Sequence, residues 1–231
     1  MRLVMFASQL NDQELHAADI GNAYLEAFTE EKVCFIAGPE FGPDKAGKVL
    51  LIVKALYGLR TSGAQFHKKL AETMRDLGYF PSKADPNIWM RETPGKWEYV
   101  CIYVDDLLIA SDEPSYLTDA LRKLGYKLKG VGEPAYHLGG DIKKVKDPEE
   151  VLTWGPTRYV KHMLDTYKTL FGTEVPKREV HSPLDPKDHP ELDTSELLDD
   201  EEKSKYQSMI GCLGWAVQLG RIDITLSLIH I

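Results

Sequence analysis

The residue pattern predicts an α+β fold, an antiparallel sheet backed by helices. Three observations carry this. Residues 99–104 and 107–111 are two strongly β-forming apolar runs parted only by Asp105-Asp106, which reads as a hairpin with two acids at its tip. Residues 88–92 and 97–104 form a second hairpin about Pro94-Gly95. Residues 63–77 put Phe66, Leu70, Met74 and Leu77 on one helical face, with Gly78 as the C-terminal stop.

The remaining elements come in chain order. Residues 9–18 are polar and lead to Asp19 at a strand end. Residues 23–28 start a short helix, 33–36 are a short strand and 37–48 a Gly/Pro loop. Residues 49–53 are a buried strand or the start of a helix, since periodicity does not distinguish the two in so short an apolar run. A helix over 115–124 stops at Gly125, and a hairpin lies within 135–145 about Gly139-Gly140. A helix over 157–170 aligns Tyr159, Met163 and Tyr167, and a last helix spans 203–219.

The chain has 231 residues, 43% of them hydrophobic and 28% charged, so it can bury a sizeable core. That composition excludes general disorder, a collagen-like repeat and a disulfide scaffold. Cys34, Cys101 and Cys212 are far apart and set in apolar sequence, and they read as buried reduced thiols of an intracellular protein. No apolar run nears the ~20 residues of a membrane span. Residues 3–7 are too short for a secretory core and there is no Asn-x-Ser/Thr acceptor, so a non-secreted protein is expected.

The net charge of −8 argues against a simple nucleic-acid-coating protein. It is concentrated, however. Between Asp185 and Glu202 nine acids face one base, Lys187, which reads as a solvated linker. The rest of the chain is neutral and carries basic clusters at His67-Lys68-Lys69, at Lys127 and Lys129, and at Lys143-Lys144 with Lys146, so a polyanionic partner stays open.

Residues 42–48 fit the phosphate-loop spacing G-x-x-x-x-G-K, but Val49 stands where Ser or Thr must meet Mg²⁺ and no amphipathic helix follows. A surface hairpin loop is expected there. Asp105-Asp106 is the stronger signal. Adjacent acids between apolar β runs repel, a hairpin turn would favour Asn-Gly or Asp-Gly, and no basic residue lies nearby in sequence. A divalent cation is the simplest reason for that charge, and oxygen-only ligands suit Mg²⁺. Asp19 is the candidate third ligand.

Tyr103-Val104-Asp105-Asp106 resembles the YxDD box of reverse transcriptases, and Asp19-Ile-Gly-Asn-Ala-Tyr24 resembles their first palm motif. Residues 55–62 (ALYGLRTS) are similar to the LYGLKQSP box of copia-type LTR retrotransposons, with Thr61 in place of Gln, Gly63 in place of Pro and Phe66 in place of Trp. Residues 136–142 (YHLGGDI) resemble that family's primer-grip segment. Residues 158–165, 181–184 (HSPL) and 206–224 resemble its downstream pattern, with Ile222 replacing the Pro of the last box.

The resemblance spans about residues 2–224 and implies a palm over 1–145 with a remnant of the fingers. It also implies a partial thumb/connection over 146–231, with the acidic linker at about 185–202. It implies RNA-directed DNA polymerase activity with two Mg²⁺ ions, or Mn²⁺, held by Asp19, Asp105 and Asp106, whose carboxylates must then converge. Tyr24, Gly58 and Arg60 would bind the nucleotide, Lys129 would act as general acid, and Leu138 and Gly139 would grip the primer. The implied partners are RNA/DNA template-primer, dNTPs and the rest of a polyprotein, with integrase upstream and RNase H downstream, in a cytoplasmic particle or the nucleus. Since the family's fingers lie upstream of the first palm motif, the 231-residue chain is expected to be a fragment with little activity alone. The alternative is a truncated, non-catalytic remnant that at most binds nucleic acid or a partner.

Overall fold

The computed structural model describes residues 1–146, 148–175, 182, 192 and 194–230. The chain divides into two units, Met1–Pro134 and Ala135–Ile231.

The first unit runs α1 (Arg2–Leu10), β1 (Glu14–Ile20), α2 (Ala23–Glu26), β2 (Cys34–Ile36), β3 (Val49–Leu51), α3 (Ser62–Asp76), β4 (Phe80–Pro81), β5 (Ile88–Thr93), β6 (Lys96–Tyr103), β7 (Asp106–Ser111), α4 (Ser115–Lys123) and β8 (Leu128–Gly132). Six strands form one sheet in the order β4-β5-β6-β7-β1-β8, and every neighbouring pair is antiparallel. The expected α+β class, with an antiparallel sheet backed by helices, is what forms.

The main core lies between one face of this sheet and two helices. Phe66, Leu70 and Met74 of α3 and Leu117 and Leu121 of α4 meet Ile20, Val100, Ile102, Leu107 and Ile109 from alternate positions of β1, β6 and β7. That alternation is the period-2 consequence of the pleat. β7 is buried along its length from Leu107 to Ser111 because α1 covers the other face, bringing buried Val4 and Met5 against β7, β6 and β1. A buried polar cluster ties the sheet together. Glu98 accepts hydrogen bonds from Tyr79 Oη at 2.9 Å, Arg91 Nε at 2.7 Å and Ser111 Oγ at 2.6 Å. These three donors offset the cost of burying the carboxylate, whose pKa is held below its ordinary value although burial alone pushes it up.

β2 and β3 form a separate two-stranded ribbon joined through the Gly/Pro loop, so residues 42–48 belong to a hairpin as expected. Residues 49–51 are the strand of the two alternatives, but they are not buried. Val49, Leu51, Val53 and Ile36 are all exposed, because among the described residues no helix covers that face of the ribbon. Cys34 corrects a second expectation. It is exposed on the same ribbon, while Cys101 is buried and Cys212 half-buried, and all three are free thiols.

The second unit contains β9 (Tyr136–His137), β10 (Gly140–Lys146), β11 (Glu150–Gly155), α5 (Thr157–Phe171), α6 (Asp200–Gln218) and α7 (Thr225–His230). Its sheet order is β11-β10-β9, with the expected hairpin closed by His137 opposite Gly140. Asp141 is buried and bonds the Arg158 backbone N–H at 2.8 Å, capping the start of α5.

Residues 185–191 and 193 of the acidic segment, like three residues of the 181–184 box, lie outside the described residues. Its last acids are not linker. Asp199 accepts from Glu202 N–H at 2.8 Å and Glu202 accepts from Asp199 N–H at 3.2 Å, a capping box that starts α6 three residues before the expected 203. Among the described residues no helix is long and apolar enough to cross a membrane.

Candidate active site

The first unit brings its three conspicuous acids to one end of the sheet. β1 pairs with β7 so that Asp19 stands opposite Asp106. β6 and β7 join by a two-residue turn, Val104-Asp105, closed by Tyr103 opposite Asp106. The Ile20 N–H donates to the Asp105 carbonyl at 2.8 Å, which locks this turn to the end of β1. Val104 has φ of 56°, a conformation costly for a β-branched residue, by about 1–3 kcal/mol.

Asp19, Asp105 and Asp106 are all half-buried. The Asp106 carboxyl is pushed above the ordinary carboxylate range by burial first, then by the charges of Asp105 and Asp19. The three acids therefore feel one another. Among the described residues, no three His, Cys, Asp or Glu side chains are close enough to make a ready metal cluster. The fold thus brings the three acids to neighbouring strand ends, and their carboxylates do not form the closed triad that was expected. Mutual repulsion of like charges opposes closure. The donor set itself is all oxygen, two acids across one ladder and a third in the adjoining turn, which fits a hard divalent cation.

On the other edge of β1, Asp19 pairs with Lys129 of β8. The Lys129 stem lies over Gly21, where a Cβ would come within 2.9 Å of its Cε. The expected general acid is thus an exposed ammonium in register with the first acid of the set.

Tyr24 sits on α2, half-buried, with its ring centroid 4.5 Å from that of Tyr57 and 6.2 Å from that of Phe66. Gly58 has φ of 96° and open space where a side chain would be, so the chain there bends in a way glycine alone takes without strain. Arg60 is exposed. The box is braced at its ends. Ser62 Oγ donates to the Leu56 carbonyl at 2.6 Å, and the Glu31 carboxylate accepts from Thr61 N–H at 2.8 Å and from the Thr61 hydroxyl. Leu138 and Gly139 lie in the second unit, at the β9–β10 turn, with φ of 45° and 87°.

Sequence reasoning missed Tyr57. Its phenol is held above the usual range by desolvation and then by the charges of Asp105, Tyr24 and Asp19, so it belongs to the same neighbourhood. Its place beside Gly58 in the box was the available signal. Glu31 was also missed, and no local pattern marks it, because its partner is 30 positions away.

Residues 1–168 match the family described as reverse transcriptase (RNA-dependent DNA polymerase), and the chain belongs to that family. It is similar to the retrovirus-related Pol polyprotein from transposon RE1 of Arabidopsis thaliana, 26% identical over 92% of this chain and 14% of that protein. The Pol polyprotein from transposon TNT 1-94 of Nicotiana tabacum is 25% identical over 97% of this chain and 17% of its own length. A putative transposon Ty5-1 protein of Saccharomyces cerevisiae is 24% identical over 90% of this chain and 65% of its own length. The chain thus spans about a sixth of the first two relatives. The copia-type retrotransposon resemblance read from the sequence agrees with these matches.

Proposed function

We propose that the chain is the palm-bearing region of an RNA-directed DNA polymerase of a retrotransposon polyprotein, transferring nucleotides to a primer 3′-hydroxyl. The observation that carries this is the Asp19–Asp106 register with Asp105 in the adjoining turn, in a chain of this family. Asp19, Asp105 and Asp106 would hold two Mg²⁺ ions, or Mn²⁺. Such ions, when bound, neutralise triphosphate charge and make the primer hydroxyl a better nucleophile.

The other residues act around that centre. Tyr24 packs against the sugar of the incoming nucleotide and excludes a ribose 2′-hydroxyl. The bare backbone at Gly58 lets the base pair approach, and Arg60 meets phosphate. Lys129 gives its proton to the leaving pyrophosphate oxygen, favoured there by its pairing position beside Asp19. Leu138 and Gly139 place the primer end. The partners are RNA/DNA template-primer, dNTPs and the remainder of the polyprotein, in a cytoplasmic particle or the nucleus.

Asp105→Asn tests this. Primer extension on a primed RNA template with Mg²⁺ or Mn²⁺, in the chain extended by its polyprotein neighbours, should fall to background. The melting temperature of the metal-free protein should hold or rise, because one of two repelling charges is gone. Retained extension, or a metal-free protein weakened by several kcal/mol, contradicts the proposal.

A further inference from the structure

The turn that carries Tyr24 has little stability of its own. α2 is four residues, entered through Asn22 at φ 56° and left through an extended Ala27. One helical turn fixes several dihedrals for one or two hydrogen bonds, and its last carbonyls find no partner inside it. Two lysines from other parts of the unit supply the partners. Lys69 Nζ, from α3, donates to the Glu26 carbonyl at 2.8 Å and stands 3.4 Å from the Glu26 carboxylate. Lys54 Nζ donates to the same carbonyl at 3.3 Å. A helix C-terminus is where cations are most favourable.

Each lysine is itself held in place. Lys69 Nζ lies 5.2 Å from the ring centroid of buried Tyr126, and Lys54 Nζ lies 4.1 Å from that of Phe28. Lys54 also pairs with Phe28 through the backbone, and the Ala55 N–H donates to the Ala27 carbonyl at 3.1 Å. Phe66 and Lys69 are three residues apart on α3 and so share one of its faces. One helix therefore sets both a neighbour of the Tyr24 ring, Phe66, and the end of the Tyr24 turn. The Ala27 N–H bond to the Tyr24 carbonyl, at 3.0 Å, passes any shift of that end to residue 24.

We infer that Lys69 and Lys54 are positioning residues for Tyr24, and that through it they set the preference for deoxyribonucleotides over ribonucleotides. The second half rests on the reading of Tyr24 as the sugar-excluding group, and the test separates the two.

The full 231-residue chain is labelled uniformly with 3-fluorotyrosine at its 11 tyrosines, and the Tyr24 line is assigned with Tyr24→Phe. In Lys69→Met, Lys54→Met and the double variant the Tyr24 fluorine line should shift or broaden while lines remote from α2 stay, and Lys69→Arg should restore it. A Tyr24 line unmoved in all of them, or all lines moving together, overturns the positioning role. Lys54→Met, at the periphery, keeps the test available if the double variant does not fold.

Competition of ribo- against deoxyribonucleoside triphosphates with Mn²⁺, in the chain extended by its polyprotein neighbours, then reads selectivity. Lys69→Met should lower the preference by roughly three- to tenfold, the scale of one lost hydrogen bond. An unchanged preference beside a shifted Tyr24 line overturns the selectivity half. A preference unchanged in Tyr24→Val, or no nucleotide binding at all, counts against the sugar-exclusion reading, and the fluorine result still decides whether the lysines hold Tyr24.

Discussion

The β6–β7 and β9–β10 connections are both two-residue turns, closed by Tyr103 opposite Asp106 in one and His137 opposite Gly140 in the other. Each holds a bulky residue at positive φ, Val104 at 56° and Leu138 at 45°. They differ at the second turn residue. Gly139 is also at positive φ and its backbone packs closely, for a Cβ there would meet Leu219 at 3.2 Å and Trp215 at 3.3 Å. The first turn has exposed Tyr103 and Val104 at its tip and Asp105 beside the end of β1.

The neighbouring titratable groups are opposed as well. Burial holds the His137 pKa down to about 4, and burial with two like charges raises that of Asp106. The lesson is that packing accounts for the strain of the second turn. In the first turn the strain goes with placing carboxylates beside one another, the kind of cost that functional sites carry.

The largest expected effect is Gly139→Ala, which adds both a disfavoured φ and unusually tight contacts with Leu219 and Trp215. It should cost about 2–4 kcal/mol of unfolding free energy by denaturant titration. A loss below about 0.5 kcal/mol would mean that α6 does not pin this turn.

The pH dependence should split the turns next. Folded, His137 stays neutral down to about pH 4, whereas an unfolded histidine protonates near 6.5. Unfolding takes up a proton in that window, so stability full above 6.5 is lost as pH falls through 4. His137→Leu should flatten that limb in melts from about pH 7 to about pH 4. Asp106 has the reverse sign. Its raised pKa means stability is full below the ordinary carboxylate value and is lost as pH rises through the folded value. Asp106→Asn should therefore raise the melting temperature at neutral pH and leave it unchanged below the ordinary carboxylate pKa; equal gains at both would break the contrast.

Val104→Gly is the smallest effect expected. Relief of positive-φ strain exceeds the entropic penalty of glycine, so stability should rise by about 1 kcal/mol or less in a thermal melt. A destabilisation would show that the exposed valine is held by packing after all.

The sequence made some of this legible and hid the rest for physical reasons. α3 and α4 stood out because Phe66, Leu70 and Met74, and Leu117 and Leu121, recur at helical spacing. The hairpins stood out through apolar runs around Pro94-Gly95 and Asp105-Asp106. β1 did not, since ELHAADI has weak strand propensity, and it becomes a strand by being paired on both edges by β7 and β8. β8 holds two glycines at positive φ, Gly130 and Gly132, which hide it further. α1 was hidden by five consecutive apolar residues that show no helical period, although only Val4 and Met5 among them are buried. The acids of the candidate site were legible as a motif. Tyr57 was passed over although it stands beside Gly58 in the box, and Glu31 was hidden because only the fold brings it to Thr61.

The central claim is that Asp19, Asp105 and Asp106 together form the cation site, and Mn²⁺ binding tests it most directly. Titration of the metal-free chain at neutral pH, followed by the electron paramagnetic resonance of free Mn²⁺, compares wild type with Asp19→Asn, Asp105→Asn and Asp106→Asn. Each substitution should weaken binding by roughly tenfold or more, the scale of one lost charge-assisted ligand. Unchanged binding in all three variants, with the fold intact, would contradict the claim.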